Sequence, residues 1–355
     1  MLQSLMSKHF IFTTFLLLFW TATALAQFDF AQNEPDGARY IGGPRLGKSQ
    51  TQIWRSGLII EPGSTISHAL ITLPVPMQWK EQRIISVNEE KINANLASRI
   101  EYRRSPHPAN GGAMEMRLQL DYTRLTQPLE IVVAFELENY ELLPPDNPSQ
   151  YVIPKQVPQE VKQYLQPSPK IESNESVFKG MYNEITKGRN TDWDKVEALY
   201  SFVQNNVKYD HTAFSRPAKG ALSVTKMPRG QWSADCKDMS CLFVALCRAG
   251  KIPARIVRVP EHCYAEFYLE LKQEGRRNPR ETPQGFWFPC QVAGTYAFGG
   301  IPERRVILQK GDSFPFADKS GRTLFMEECF QGALEPGAPP LSDPRWVHNT
   351  EVKQP

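Results

Sequence analysis

Cys236, His262 and Gln291 are the residues of this chain whose types and surroundings are best suited to chemistry. The stretch Asp235-Cys236-Lys237-Asp238-Met239-Ser240 opens a run in which Met239, Leu242, Phe243 and Leu246 keep helical spacing. Gly250 and Pro253 then mark its end. A cysteine in the first turn of such a helix sits among unpaired amide N–H groups at the positive end of the macrodipole, a setting that favours the thiolate. A thiolate attacks carbonyl carbon, and it needs a base or ion-pair partner with an orienting group behind that partner. His262 leads an alternating run, HCYAEFYLEL, connected through the short strand 255–259 to the end of the helix, so it can be turned toward the helix start. The orienting group must come from a neighbouring strand, and the run Trp287-Phe288-Pro289-Cys290-Gln291 offers Gln291.

These residues need a frame. Upstream of the cysteine, Val177, Met181, Tyr182 and Ile185 keep helical spacing. Thr191 and Asp194 then form a capping-box start for a second helix, whose Trp193, Val196, Tyr200, Val203 and Val207 form one apolar face. Residues 50–142 read as strands: 57–60, 66–73, 83–87, 114–122 and 129–137 are short, alternating or β-branched, and separated by turn residues. Met114, Met116, Leu118 and Leu120 alternate with polar residues, which predicts a strand with one wet face. Strands with no helix between them predict an antiparallel sandwich. Seven prolines between Pro144 and Pro169 mark a crossing between two domains, and residues 331–355 show no periodicity and read as a loose tail.

The chain has 355 residues, 41% hydrophobic and 22% charged, enough for buried cores and against global disorder. Lys and Arg number 41 against 38 Asp and Glu, and a surplus of +3 gives no nucleic-acid surface. Lys8 precedes an uncharged run from Phe10 to Phe28 with a dense apolar centre, and Ala24 and Ala26 form the A-x-A pattern of a cleavage site. Residues 1–26 are therefore expected to be a signal peptide, with no membrane span after its removal and a product exported to the periplasm or outside the cell. The cysteines Cys236, Cys241, Cys247, Cys263, Cys290 and Cys329 contain no CxxC, and the single His beside a Cys is His262, so a zinc site has little support. Cys241 and Cys247 read as packed core. Cys263 and Cys290, on strands expected to be neighbours, could pair as a disulfide. Lys237 and Asp238 read as first-turn surface charges, and Trp232 as a packing residue or a wall of the substrate groove.

The segment ADCKDMSCLFVALCRAGKIPARIV resembles the nucleophile block of the transglutaminase-like superfamily, in which a Cys-led helix runs into a turn and strand. HCYAEFYLE is similar to its His-x-Trp-x-Glu block, with Tyr264 in the Trp position, and YLQPSPKIES and SFVQNNVKYD fit the lead-in of prokaryotic members. The resemblance implies an α+β architecture: a papain-like transglutaminase core domain over residues 171–330 with a Cys-His-Asp triad for amide chemistry. An antiparallel β-sandwich-like domain over 27–143 and a Pro-rich linker over 144–170 would precede it. It implies a protein or peptide substrate and no cofactor or metal. One departure matters: the third block ends in Asp in the family, whereas here Gln291 takes that position and no Asp occurs from Gly250 to Gly311. A neutral amide can fix the histidine's tautomer but cannot stabilise an imidazolium by charge.

Two readings follow. In one, Cys236 attacks, His262 moves the proton and Gln291 orients it, giving amide hydrolysis or acyl transfer. In the other, the triad has decayed and the chain is a non-catalytic binding or scaffold protein. Independent of that choice, the intact mass of the exported protein is expected to correspond to a start at or close to Gln27. Recovery of the full-length chain in membranes would refute the cleavage.

Overall fold

The computed structural model describes residues 42–63, 65–92, 100–104, 112–213, 216–272, 284–315, 321–334 and 344–353. The expected signal peptide lies outside them. The protein is a mixed, strand-rich structure with few helices. Its first six strands are β1 (Arg45–Ile60), β2 (Thr65–Val75), β3 (Gln82–Lys91), β4 (Ile100–Arg104), β5 (Gly112–Arg124) and β6 (Leu129–Leu143). They divide between two antiparallel sheets. The alternation seen in the sequence is realised: Met114, Met116, Leu118 and Leu120 of β5 are buried, as are Trp54, Leu58 and Ile60 of β1. Side chains from both sheets form one apolar cluster, with Ile131, Val133 and Phe135 of β6 meeting Ile71 and Leu73 of β2.

The helical region follows. Helix α1 (Ser176–Ile185), helix α2 (Asp192–Asn206) and a short α3 (Ala221–Thr225) all pack on α4 (Cys236–Ala249), and α1 also packs on α2. The capping box of α2 is formed in full, with Asp194 N–H donating to Thr191 Oγ1 at 3.0 Å and Thr191 N–H to Asp194 Oδ2 at 3.3 Å. Helix α4 ends at Gly250 because the ring of Tyr182 lies against that backbone: a Cβ there would come within 2.0 Å of it. Three strands line up beside α4. They are β10 (Ala254–Val259), β11 (His262–Leu271) and β12 (Gly285–Cys290), after the two-residue strands β7 (Tyr151–Val152), β8 (Lys208–Tyr209) and β9 (Ser233–Ala234).

Strand β13 (Gln309–Lys310) joins the two regions. It pairs on one side with β10 and on the other with β5, so one sheet runs β12-β11-β10-β13-β5-β2 and ends on β16 (Cys329–Leu334). The Pro-rich crossing runs against the second half of the chain. Tyr151 and Val152 pair with the end of β11, and the Tyr151 ring packs edge-on against Phe288 with centroids 4.8 Å apart.

The loose tail is the clearest correction. Residues 329–334 pair with β2, and β17 (Arg345–Val352) runs antiparallel to β1 from Ile59↔Arg345 to Gln52↔Val352. A small hairpin of β14 (Phe314–Pro315) and β15 (Arg322–Thr323) precedes them. Backbone pairing holds this segment, and six of the eight β17 residues are exposed, so the sequence shows no apolar alternation there. No described helix is long and apolar enough to cross a membrane.

Deleting residues 345–355 would strip β1 of its edge partner and uncover Trp54, which stacks on His348 at 5.6 Å. The thermal midpoint is expected to fall by on the order of 10 °C in calorimetry. A midpoint within a degree of the full chain would show that the segment adds nothing.

Candidate active site

Helix α4 opens on Asp235, whose side chain caps it by accepting the Asp238 N–H at 3.0 Å. Cys236 is the first helical residue and is buried. Alternation along β11 sends Cys263, Ala265 and Phe267 into the core beneath α4, while Tyr264 enters a separate cluster with Val257 and Ile307. His262 stands at the tip of the strand. There it acts on Cys236, hydrogen bonding to His262 being among the causes that lower that thiol's pKa. Its ring nitrogen Nε2 lies 3.1 Å from Gln291 Oε1. An amide oxygen only accepts, so Nε2 carries the hydrogen and Nδ1 is the nitrogen left to exchange a proton with Cys236.

The three residues singled out in the sequence therefore meet. Gln291 is held by its backbone as well as its side chain. Its N–H donates to Ala297 O at 2.8 Å, and Gln204 of α2 donates to its carbonyl at 3.1 Å. The insertion before β12 does not disturb this placement, because the β11–β12 register is continuous from Glu270↔Gly285 to Ala265↔Cys290.

Hydrogen bonding from Cys263 pulls the Cys236 thiol down to about 5, against burial, which opposes the charge; hydrogen bonding to His262 and its proximity add to the effect. Burial pushes the thiols of Cys241, Cys247, Cys263 and Cys290 up instead. The six cysteines are all free thiols. The pairing of Cys263 with Cys290 is not formed: Cys290 opposes Ala265, so the two are diagonal neighbours, and such pairs stand roughly 7–8 Å apart, beyond disulfide reach.

Several parts of the site were not visible in the sequence. Burial, together with the nearby Cys236 and Asp235 charges, raises the pKa of Tyr209. Tyr209 belongs to the SFVQNNVKYD lead-in, which marked the segment and not this side chain. Asp238 is no surface charge. It is buried and accepts the N–H groups of Lys219 and Gly220, each at 2.8 Å, pinning the loop beside the cysteine. Lys237 is tied to Asp235 Oδ2 at 3.1 Å and to Arg216 O at 2.6 Å. Trp232 is a packing residue, its indole N–H donating to Met227 O at 2.8 Å.

His262 and Cys263 line a cleft of about 960 Å³. Its far wall comes from Trp54 of β1, Trp346 and His348 of β17, and Phe325 before β16.

The thiolate assignment has a direct consequence. Brief iodoacetamide treatment of the folded protein should label Cys236 first, with a rate half-maximal near pH 5 and constant above it. His262→Ala should move that midpoint up toward the ordinary thiol value of about 8.5. Peptide mapping across pH reads both. Preferential labelling at Cys329, or a wild-type midpoint near the ordinary value, would remove the ion pair.

Comparison with known proteins agrees with this geometry. Residues 179–291 match the transglutaminase-like superfamily, and the matched segment ends on Gln291. An uncharacterised protein of Haemophilus influenzae is 25% identical over 202 residues, covering 56% of this chain and 51% of that protein, so the matched region spans about half its length. In fold the chain is similar to the crystal structure of a candidate cysteine protease from Cytophaga hutchinsonii, with a TM-score of 0.53 and 14% identity over 86% of this chain and all of that one. Residues 179–291 thus form a domain of the transglutaminase-like superfamily.

Proposed function

We propose that the protein is an exported enzyme of thiol-dependent amide chemistry, acting on a protein or peptide by hydrolysis or by acyl transfer to an amine. The observation that carries this reading is the arrangement of Cys236, His262 and Gln291 at a cleft of about 960 Å³. The described sheets fit a papain-like α+β core with a β-sandwich built from the first six strands and the returning β16 and β17. The leader-like segment 1–26 supports export.

In this reading the Cys236 thiolate attacks the carbonyl carbon of a bound amide. The oxyanion forms beside the first turn of α4 and the Tyr209 hydroxyl, both sources of donated hydrogen bonds. His262, protonated at Nδ1, gives that proton to the departing amine, leaving a thioester on Cys236. Water or an incoming amine then loses its proton to Nδ1 and attacks the thioester, and the thiolate is restored. Gln291 keeps the ring in register throughout. None of these steps calls for a metal or organic cofactor.

The neutral third residue favours a second reading, a binding protein that keeps the fold. Turnover decides between them. Incorporation of a fluorescent primary amine into a glutamine-rich protein reads acyl transfer, and ammonia or peptide release reads hydrolysis. Cys236→Ala should abolish both, and His262→Ala should lower kcat/KM by on the order of a thousandfold. Gln291→Ala should lower it by about tenfold through lost orientation. Gln291→Glu, which keeps the length and adds charge, should shift thiolate formation to lower pH by stabilising the imidazolium. If Cys236→Ala equals wild type in every assay, the binding-protein reading replaces the enzyme.

A further inference from the structure

Among the described residues, three other than glycine have a positive φ: Lys170 at 69°, Lys251 at 66° and Glu261 at 56°. Lys251 follows Gly250 at the end of α4, where a helix commonly exits through the left-handed region. The other two share a different setting. Lys170 follows Pro169 in a two-residue turn closed by Ser168 and Ile171, whose backbones bond each other reciprocally at 2.9 and 3.1 Å. Glu261 follows Pro260 in a two-residue turn closed by Val259 and His262, which are paired where β10 meets β11. A positive φ just after the proline of a tight turn is a place for Gly or Asn, and a longer side chain there is strained. Both turns line the cleft. Their strained residues carry opposite charges, and among the described residues neither side chain has an ion-pair or hydrogen-bond partner. Lys237, Arg258 and Glu328 on the same wall are instead committed, the first to Asp235 and the other two to each other.

We propose that Lys170 and Glu261 are the specificity-determining charges of the cleft, and that its substrate is a short peptide carrying both a carboxylate, bound by Lys170, and an ammonium, bound by Glu261. The two turns hold these charges in place before any ligand arrives. Ser168 Oγ donates to Asp312 Oδ1 at 2.6 Å and accepts from Arg248 Nη1 at 2.9 Å, while Lys170 O accepts the Ala221 N–H at 2.9 Å. The Glu261 turn is the tip of the hairpin whose next residue is His262. Charges on pre-ordered backbone cost little further ordering when a ligand binds. Glycine at either position would relax the backbone but lose the charge, so the strain has a use. The opposite signs set the direction in which the peptide lies, because a reversed peptide brings like charges together. The inference rests on the proposed amide chemistry for the bond that reacts, but the two charges select a ligand whether or not it turns over.

Binding and turnover are therefore measured apart. End-blocked pentapeptides centred on glutamine, with glutamate at one end and lysine at the other in both orders, are titrated by calorimetry into the full chain carrying Cys236→Ala. The same peptide with alanine at both ends is the neutral reference. One order should bind more tightly than the neutral peptide by about fivefold for each charge, and the gain should fade in about 1 M salt. Glu261→Lys should invert the preference at its end, so that a peptide with glutamate at both ends becomes the better ligand. Lys170→Gly and Glu261→Gly should each lose one charge's share of the binding while the thermal midpoint holds or rises, because glycine accepts the positive φ. Lys251→Gly does not touch the cleft and should leave binding unchanged. The proposal is overturned if none of the peptides binds, if all bind alike, or if Glu261→Lys leaves the preference as it was. It is also overturned if Arg216→Ala or Glu327→Gln, at the other charged positions of the wall, removes the preference while the Lys170 and Glu261 variants keep it. Charge-selective binding with no turnover of the bound peptide by wild type would overturn only the proposed function. Turnover indifferent to peptide charge would overturn only this assignment.

Discussion

Glu266 lies on the strand that carries His262, and its side chain is 2% exposed. A carboxylate cannot be left there alone, because stripping its water costs several kcal/mol unless cations and hydrogen bonds replace it. Two cations do so: Arg255 of β10 at 2.6 Å and Lys310 of β13 at 2.6 Å. Burial works against the charge, but Arg255 and Lys310 outweigh it and hold the carboxyl below its usual range. Lys310 also binds Glu81, which precedes β3, so one buried charge ties the site strand to the first half of the chain. The Arg255 guanidinium then lies over the Trp287 ring at 3.9 Å, adding β12 to the same network. Strands β10, β11, β12 and β13 are thereby fixed relative to one another, and with them His262 and Gln291. A second buried pair, Arg248 with Asp312 at 2.7 Å, anchors the far end of α4. The nucleophile is thus held from both ends by charge pairing that plays no part in its chemistry.

Around the thiolate the balance is different. Lys237, next to Cys236, is committed to Asp235 and the Arg216 carbonyl. The Cys236 charge is stabilised by donated hydrogen bonds from Cys263 and His262, with Tyr209 alongside. His262 in turn receives orientation from Gln291 without a countercharge. Gln291 cannot stabilise an imidazolium by charge. A neutral third residue therefore suits proton donation in the first half of a reaction better than base catalysis in the second. An amine, more nucleophilic than water, asks less of that base.

Local chemistry was legible in the sequence and long-range pairing was not. The capping box of α2, the start of α4 at Cys236 and the alternation of β5 and β11 all depend on residues within one or two turns, and each appears in the structure. The short turn before its strand brings His262 near the helix start, and the sequence offers Gln291 from a neighbouring strand; their side chains lie 3.1 Å apart. Tyr209 escaped notice because its approach depends on β8 pairing in parallel with β9, two residues each, a contact with no hydrophobic signature. Asp238 looked like an exposed helix charge because nothing local shows that the loop at Lys219 and Gly220 folds over it. The tail failed for a related reason. Strand β17 is mostly exposed and owes its place to β1, whose paired residues lie almost the whole chain away, so neither periodicity nor composition marks it.

That returning segment changes what the first half of the chain is for. Trp54 comes from β1, Phe325 from the approach to β16, and Trp346 and His348 from β17, and together they face His262 across the cleft. The chemistry is assembled from the helix and strands of the matched domain, whereas the opposite wall belongs to strands outside it. A domain of residues 179–291 alone would present the thiolate at a surface open on one side, to any amide that diffused past. With β1 and β17 in place, the cleft beside His262 is bounded by Trp54, Trp346 and His348. Lys310 and Glu81 hold the two sides at a fixed separation, and a buried ion pair resists sliding because any displacement leaves both charges unpaired. On the proposed reading, selection and reaction fall to different parts of one chain, joined through β13.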